Sequence, residues 1–383
     1  MSHQSRTTPA VPSTGIPGIK VALAAAILFF TATGLVAAQV GPPGVIDGSP
    51  GPSASAMIWG VNGHAVWYYP GATLDQQMSM VRDLGMTYYR VDVHPNGVAA
   101  DDLNVANNLA LVVAAAKRHG VSILVTITPK VGEIDNETEA SYYKKSYNAA
   151  RSLVLRFKND VHVWELDNEV ERYAMVRPCE TLDNGYVWHC DWGDIGGTNP
   201  DDYISARYNR LRGDIRGLSD GIASADAIPR RIVNVSAGFH YGFLQRLIND
   251  GVKFEIIGPH WYSTYGDIQD PNNNIAKPLA ALGKPIWITE FNRGYGSYHG
   301  QEAAQGFVIG QMATEFCYIA KIYNIQAAFV YELLDESYYG DTFEAFMGLI
   351  NLVKDKGGNW VYGPYKPAFS AIKTATALNC PFK

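Results

Sequence analysis

From Met57 onward, short β-branched or apolar runs alternate with longer segments of helical period. The short runs are Ile58–Asn62, Tyr88–Val93, Ser122–Ile127, His162–Asp167, Arg231–Ser236, Ile256–His260, Pro285–Thr289 and Ala327–Tyr331. Between and after them, Leu74–Leu84, Leu103–His119, Ala140–Lys158, Asp201–Leu218, Gly242–Asn249, Gln301–Tyr323 and Pro367–Leu378 read as helices. In Leu103–His119, the residues Leu109, Val112, Val113 and Ala116 share one face. Its end is marked by Lys117-Arg118-His119-Gly120: cations suit the negative end of the helix dipole, and Gly turns the chain away. Strands each followed by a helix predict one (β/α)8 TIM barrel over residues 57–383, with long loops after the strands. A doubly wound sheet would need a glycine-rich phosphate turn after its first strand, and Gly60-Val61-Asn62-Gly63-His64 lacks that spacing. No internal repeat or second domain is visible.

Upstream the pattern changes. Residues 1–38 carry Arg6 and Lys20, no acidic residue, and the apolar run Val21–Val36, followed by small residues at Val36-Ala37-Ala38. That is the order of a signal peptide cleaved before Gln39. The alternative is an uncleaved anchor over residues 21–40, since the run approaches the ~20 residues of a membrane span. Either reading exports the body, and residues 39–56 form a Pro/Gly/Ser-rich linker. In an exported chain the four cysteines allow three disulfide connectivities. Cys179 with Cys190 is the expected pair because it closes a short loop around Trp188. Cys317 with Cys380 would tie a late helix to the C-terminus and stays open.

Composition narrows the partners. A net charge of −6 and the lack of a Lys/Arg-rich run exclude nucleic-acid backbone binding. Aromatics reach 12 %, led by 23 Tyr, and they gather in the post-strand loops. Trp67, Tyr68, Tyr69, Trp188, Trp192, Tyr262, Tyr265, Tyr295, Tyr298, Tyr338 and Tyr339 are the members, and about half are expected only to pack the loops. The rest suit a wet groove with weakly apolar ligands. The nine histidines form no HxH or HExxH, so neither a metal nor another cofactor is expected. The sequons at Asn136 and Asn234 are read as coincidental, the second falling inside a strand.

Active sites of this barrel lie at the C-terminal strand ends. The fourth strand ends in Trp164-Glu165-Leu166-Asp167-Asn168-Glu169 and the seventh in Trp287-Ile288-Thr289-Glu290. Glu169 and Glu290 therefore face each other across the mouth, as glycosidic bond cleavage requires. Asn168-Glu169 closing strand four and Glu290 in a WITEF context resemble the clan A (4/7 superfamily) glycoside hydrolases, nearest to families 39 and 5. Arg90 in Tyr89-Arg90-Val91-Asp92 resembles the clan's arginine beside the nucleophile. Pro259-His260-Trp261-Tyr262 resembles its strand-six motif, and Gly363–Phe369 its closing helix entry. Where many members place Trp after strand eight, this chain reads Tyr331-Glu332.

The resemblance implies a retaining hydrolase of poly- or oligosaccharides, with Glu290 as nucleophile and Glu169 as acid/base. Arg90 and Tyr262 would hold Glu290, and Asn168 would meet the sugar 2-hydroxyl. His260, Trp261, Tyr331 and Glu332 are further expected substrate contacts. Asp92, Glu165 and Asp167 are read as interior partners of Arg90. The loop Val170–Pro200, long for this position, is read as a cleft wall. A monomer is expected. Transglycosylation on the same scaffold and a carbohydrate-binding barrel without turnover are the alternatives; binding alone would require neither glutamate.

Overall fold

The structure, a computed structural model, describes residues 57–130, 134–228, 230–378 and 380. The expected signal peptide and linker lie outside the described residues. Eight parallel strands close into a barrel in chain order. They are β1 (Ile58–Asn62), β2 (Tyr88–Val93), β3 (Ser122–Ile127), β4 (Val163–Leu166), β5 (Arg230–Val235), β6 (Ile256–Tyr262), β7 (Ile286–Asn292) and β8 (Ile325–Val330). The helices are α1 (Leu74–Asp83), α2 (Ala99–His119), α3 (Glu139–Phe157), α4 (Glu171–Ala174), α5 (Ser205–Ala223), α6 (Tyr241–Asn249), α7 (Ala276–Ala281), α8 (Glu302–Tyr323) and α9 (Pro367–Thr376). Before α9 stands an antiparallel hairpin, β9 (Ile350–Lys354) and β10 (Trp360–Tyr365).

The TIM-barrel expectation is met. One helix is displaced: Asp201 and Asp202 belong to a separate turn, Pro200–Asp202, and α5 starts only at Ser205. The physical reason is local. The Asp202 carboxylate accepts the Asn199 N–H, so it caps that turn instead of opening the helix. The short α4 and α7 and the β9–β10 hairpin lie in stretches without a long period.

Two apolar layers hold the barrel. Inside it, Leu124, Val163, Ile232, Ile256, Trp287 and Phe329 pack from six strands, two residues apart in parity from the polar groups above them. Outside, the predicted face of α2, with Leu109, Val112, Val113 and Ala116, is buried. Gly120 ends that helix at φ 63°, the left-handed turn expected of it. Both cysteine pairs form disulfides, Cys179–Cys190 and Cys317–Cys380. The second binds α8 to the C-terminal residues after α9. Disulfides fit an oxidising compartment. Among the described residues no helix is long and apolar enough to cross a membrane.

Helices α3 and α5 approach unusually closely, and the cause is a run of glycines. Gly213, Gly217 and Gly221 lie one turn apart along α5, facing the α3 backbone. A Cβ at Gly217 would stand 2.4 Å from the Tyr143 carbonyl oxygen. Helix propensity alone predicts that Gly→Ala stabilises a helix by roughly 1 kcal/mol. Here the sign should reverse. Gly217→Ala is expected to destabilise by about 1–3 kcal/mol through overpacking, measured by urea unfolding.

Candidate active site

The site grows from one buried cation. Arg90, on β2, is the inward-facing partner of Asn62 in the β1–β2 register. Its Nε donates to Glu165 Oε2 at 2.5 Å, and its Nη1 to Glu290 Oε1 and Asn62 Oδ1, both at 2.7 Å. Nη2 donates to Asn168 Oδ1 at 2.8 Å. Groups from β1, β4 and β7 thus converge on one guanidinium carried by β2. Burial works against its charge, yet the Glu165 and Glu290 carboxylates more than offset this and raise its pKa above the ordinary value.

Glu290 is aligned by its neighbour strand. It pairs in register with His260, and a register shift in the β6–β7 ladder lies just before that pair. Such irregularities re-aim side chains at barrel rims. The Tyr262 hydroxyl donates to Glu290 Oε2 at 2.7 Å. Burial first, then the Glu290 charge, pushes the Tyr262 hydroxyl pKa well up, so it remains a donor.

Glu169 reaches the mouth through a strained backbone. Asp167 and Glu169 have φ of 61° and 53°, left-handed values that L-residues occupy at a cost. Asn234 of β5 clips this turn at both ends. Its Nδ2 donates to the Asp167 carbonyl and its Oδ1 accepts the Glu169 N–H, each at 2.8 Å. The side chain of Glu169 then meets His260 Nδ1 at 2.7 Å, and the same nitrogen lies 3.5 Å from Glu290 Oε2. One carboxylate oxygen of each glutamate and a His260 nitrogen all fall within 4.8 Å of one another. Burial opposes protonation of His260, but the Glu290 charge and the Glu169 hydrogen bond raise its pKa.

These groups open into a cleft of about 640 Å³ that also exposes Asn168, Tyr331 and Tyr295. Among the expected substrate contacts, three sit elsewhere. His260 is fully buried and touches the glutamates instead of the open cleft. Trp261 is buried against Gly238 with its indole N–H donated to the Gly266 carbonyl, because it takes the opposite parity on β6 and points out of the barrel. Glu332 is fully buried behind the cleft surface. Of the three acids read as partners of Arg90, only Glu165 is one. Asp92 binds His64 and His94, at 3.0 and 2.5 Å. Asp167 lies beside Asp214, and burial, then the Asp167 charge, raises the Asp214 carboxyl well above the carboxylate range.

Other groups carry no local signal in the sequence. Asn62 ends the short β1 and His64 follows it; Phe343, Glu344 and Met347 come from a turn before the hairpin, and all line the cleft. Phe343 meets the Tyr295 ring edge-on at 5.7 Å. Of the loop aromatics, Tyr262, Tyr265 and Tyr295 line the cleft, whereas Tyr69 is buried and donates to the Leu334 carbonyl. Asn234, set aside as a sequon, is buried in service of Glu169.

Comparison with known proteins places this architecture. Residues 234–325 match a family model described as the glycosyl hydrolase catalytic core. No curated protein matches the chain in sequence. Among solved structures, the GH53 catalytic domain of Ignisphaera aggregans is similar at 14 % identity and TM-score 0.55, over 88 % of this chain and all (100 %) of that one. A β-glucosidase from Thermotoga maritima aligns at 11 % identity and TM-score 0.57, over 84 % of this chain and 98 % of that one. The virulence factor SghA from Agrobacterium tumefaciens aligns at 10 % identity and TM-score 0.56, over 84 % and 97 % respectively. The likenesses show the (β/α)8 fold, and the family match over residues 234–325 is to a glycosyl hydrolase catalytic core.

One wall of the cleft yields a pH prediction. Glu171 opens α4 and is fully buried; its Oε1 accepts from the Ser236 N–H and Oγ and contacts His240 Nδ1, each at 2.7 Å. Burial pushes its pKa up, but the His240 contact and the Ser236 donors outweigh this and hold it below the ordinary range. A depressed carboxylate stabilises the fold above its unfolded pKa of about 4.3 and loses that contribution as pH falls through the folded value. Glu171→Gln should therefore cost roughly 1–3 kcal/mol at pH 7. The cost should shrink steadily in urea titrations below about pH 4.

Proposed function

We propose that the protein is an exported, retaining glycoside hydrolase that cleaves O-glycosidic bonds of a poly- or oligosaccharide by double displacement. The observation that carries this reading is the closeness of Glu169 and Glu290, with oxygens of the two carboxylates within 4.8 Å. Retaining enzymes hold their carboxyl groups about 5–5.5 Å apart; inverting ones need about 6.5–9.5 Å to admit a water.

In this reading Glu290 attacks the anomeric carbon as a carboxylate, aimed by Arg90 Nη1 and Tyr262. Glu169 protonates the departing oxygen and then takes a proton from the incoming water. His260, raised in pKa by the glutamates, keeps a proton at the Glu169 contact between these steps. Asn168 has its Oδ1 occupied by Arg90, which leaves its NH₂ to donate to the sugar 2-hydroxyl. Tyr331 and the Tyr295–Phe343 pair offer ring faces for neighbouring sugar units. Residues 1–38 would direct export as a cleaved signal and 39–56 would tether the barrel over 57–383, in keeping with the two disulfides.

The test uses a polysaccharide panel to find a substrate, then NMR of the first-formed anomer. Retention is expected. Glu290→Gln should abolish turnover on every substrate. Glu169→Ala should slow hydrolysis by roughly 10²–10⁴-fold for poor leaving groups, whereas substrates with good leaving groups should pass the first step and stall at deglycosylation, where azide restores turnover as a glycosyl azide of retained configuration. An inverted product, or near-wild-type activity in either variant, overturns the assignment.

A further inference from the structure

A second cluster of ligating atoms stands beside the cleft, apart from the glutamate pair. His64, in the connection after β1, turns its Nδ1 to Asp92 Oδ1 at 3.0 Å. With that nitrogen donating, the Nε2 lone pair lies 3.4 Å from Glu332 Oε2. Glu332 is fully buried, neither of its carboxylate oxygens makes a hydrogen bond of good geometry, and its ion-pair neighbour is that same His64 nitrogen. Glu336, 4 % exposed and braced by the Tyr338 hydroxyl, supplies the third member. One ligand atom from each of His64, Glu332 and Glu336 lies within 4.8 Å of the other two.

We propose that His64, Glu332 and Glu336 form a binding site for a divalent transition-metal ion of the zinc type. Three arguments converge on it. A buried carboxylate without donors is costly, and a second carboxylate beside it adds repulsion that a cation removes. Imidazole with carboxylates is a ligand set for zinc-type ions, at bond lengths of about 2.0–2.2 Å. Tetrahedral ligands at that length stand about 3.3 Å apart, close to the His64–Glu332 separation. Finally, Asp92 occupies the outer position that fixes the tautomer and orientation of a metal-bound histidine. A proton on Nε2 would serve only one Glu332 oxygen and leave Glu336 uncompensated.

The ion joins the connection after β1 to the one after β8. Its role is to fix one wall of the cleft, where Tyr331 faces the same His64 nitrogen at 3.5 Å. The inference is independent of the glycosidase reading and departs from the expectation of no metal. That expectation rested on local histidine spacing, and these ligands come from opposite ends of the chain.

The test is titration of chelator-treated full-length protein with Co²⁺ as a spectroscopic probe, followed by displacement with Zn²⁺. One equivalent per chain, visible d–d absorption lost on adding Zn²⁺, and a raised Tm with Zn²⁺ are expected. Glu336→Gln and His64→Gln should abolish the absorption, and Asp92→Asn should weaken binding by roughly 10–100-fold. Glu169→Gln must leave it intact, since Glu169, His260 and Glu290 form the other triad able to hold an ion. Wild-type protein that shows no saturable binding below millimolar Co²⁺ overturns the proposal. So does absorption that survives Glu336→Gln, or that disappears with Glu169→Gln. If Glu336→Gln does not fold, wild-type stoichiometry and the Glu169→Gln result decide.

Discussion

The constraint on which the site depends is the burial of the Arg90 charge at the centre of the barrel mouth. An unpaired guanidinium there would cost several kcal/mol in lost hydration. The structure surrounds it with two carboxylates and two side-chain amides, drawn from the ends of β1 and β7 and from β4 with the turn that follows it. The same contacts aim Glu290 and fix the orientation of the Asn168 amide. Stability and site geometry are therefore one arrangement: a side chain that leaves the set strands a buried charge. Thr126 extends it by donating to Glu165 Oε2 at 2.6 Å, so β3 is tied in as well.

The opposite carboxylate is positioned by different means. Glu169 stands on a left-handed backbone that is unfavourable by itself, and Asn234 holds that backbone through paired amide contacts. His260 then joins Glu169 to Glu290 across the mouth. Rigid strands carry Arg90, His260 and Glu290, whereas Glu169 is the partly exposed member at the solvent edge. That asymmetry suits the proton exchange proposed for Glu169.

The cleft walls are built from post-strand connections stiffened by buried polar contacts. On one side Glu171, Ser236 and His240 lock α4 to the connection after β5. On the other, Lys366 reaches Asp335 at 2.6 Å, both buried, which fixes the connection after β8 against the start of α9. Burial raises the Asp335 carboxyl to about 6, although the Lys366 charge opposes the rise. The long loop after α4 is closed on itself by Cys179–Cys190 and carries the edge-on Trp188–Trp192 contact at 4.9 Å.

Much of this was legible along the chain, because strand and helix periods are local properties and β7 reads as a buried strand without any partner in view. The positions of Glu169 and Glu290 followed from the same reading, since chemistry in this fold sits at strand ends. Arg90, Asn168 and Tyr262 were recognisable by their motif context. The errors arose where a side chain's direction is set by a neighbour. Trp261 sits between His260 and Tyr262 in sequence yet points out of the barrel, because successive strand residues alternate faces. Asp92 and Asp167 share the parity of Arg90 and Glu165 but lie one step further along the chain toward the mouth, where Asp92 meets His64 and His94 and Asp167 lies beside Asp214. Asn62 and His64 meet Tyr331, Phe343 and Glu344 in the cleft from positions hundreds of residues apart, and no spacing rule spans that distance. Local periodicity along the chain specifies the elements, their order and the placement of Glu169 and Glu290 at strand ends; closure of the ring decides which buried charges meet, because only in three dimensions do they share one dielectric interior.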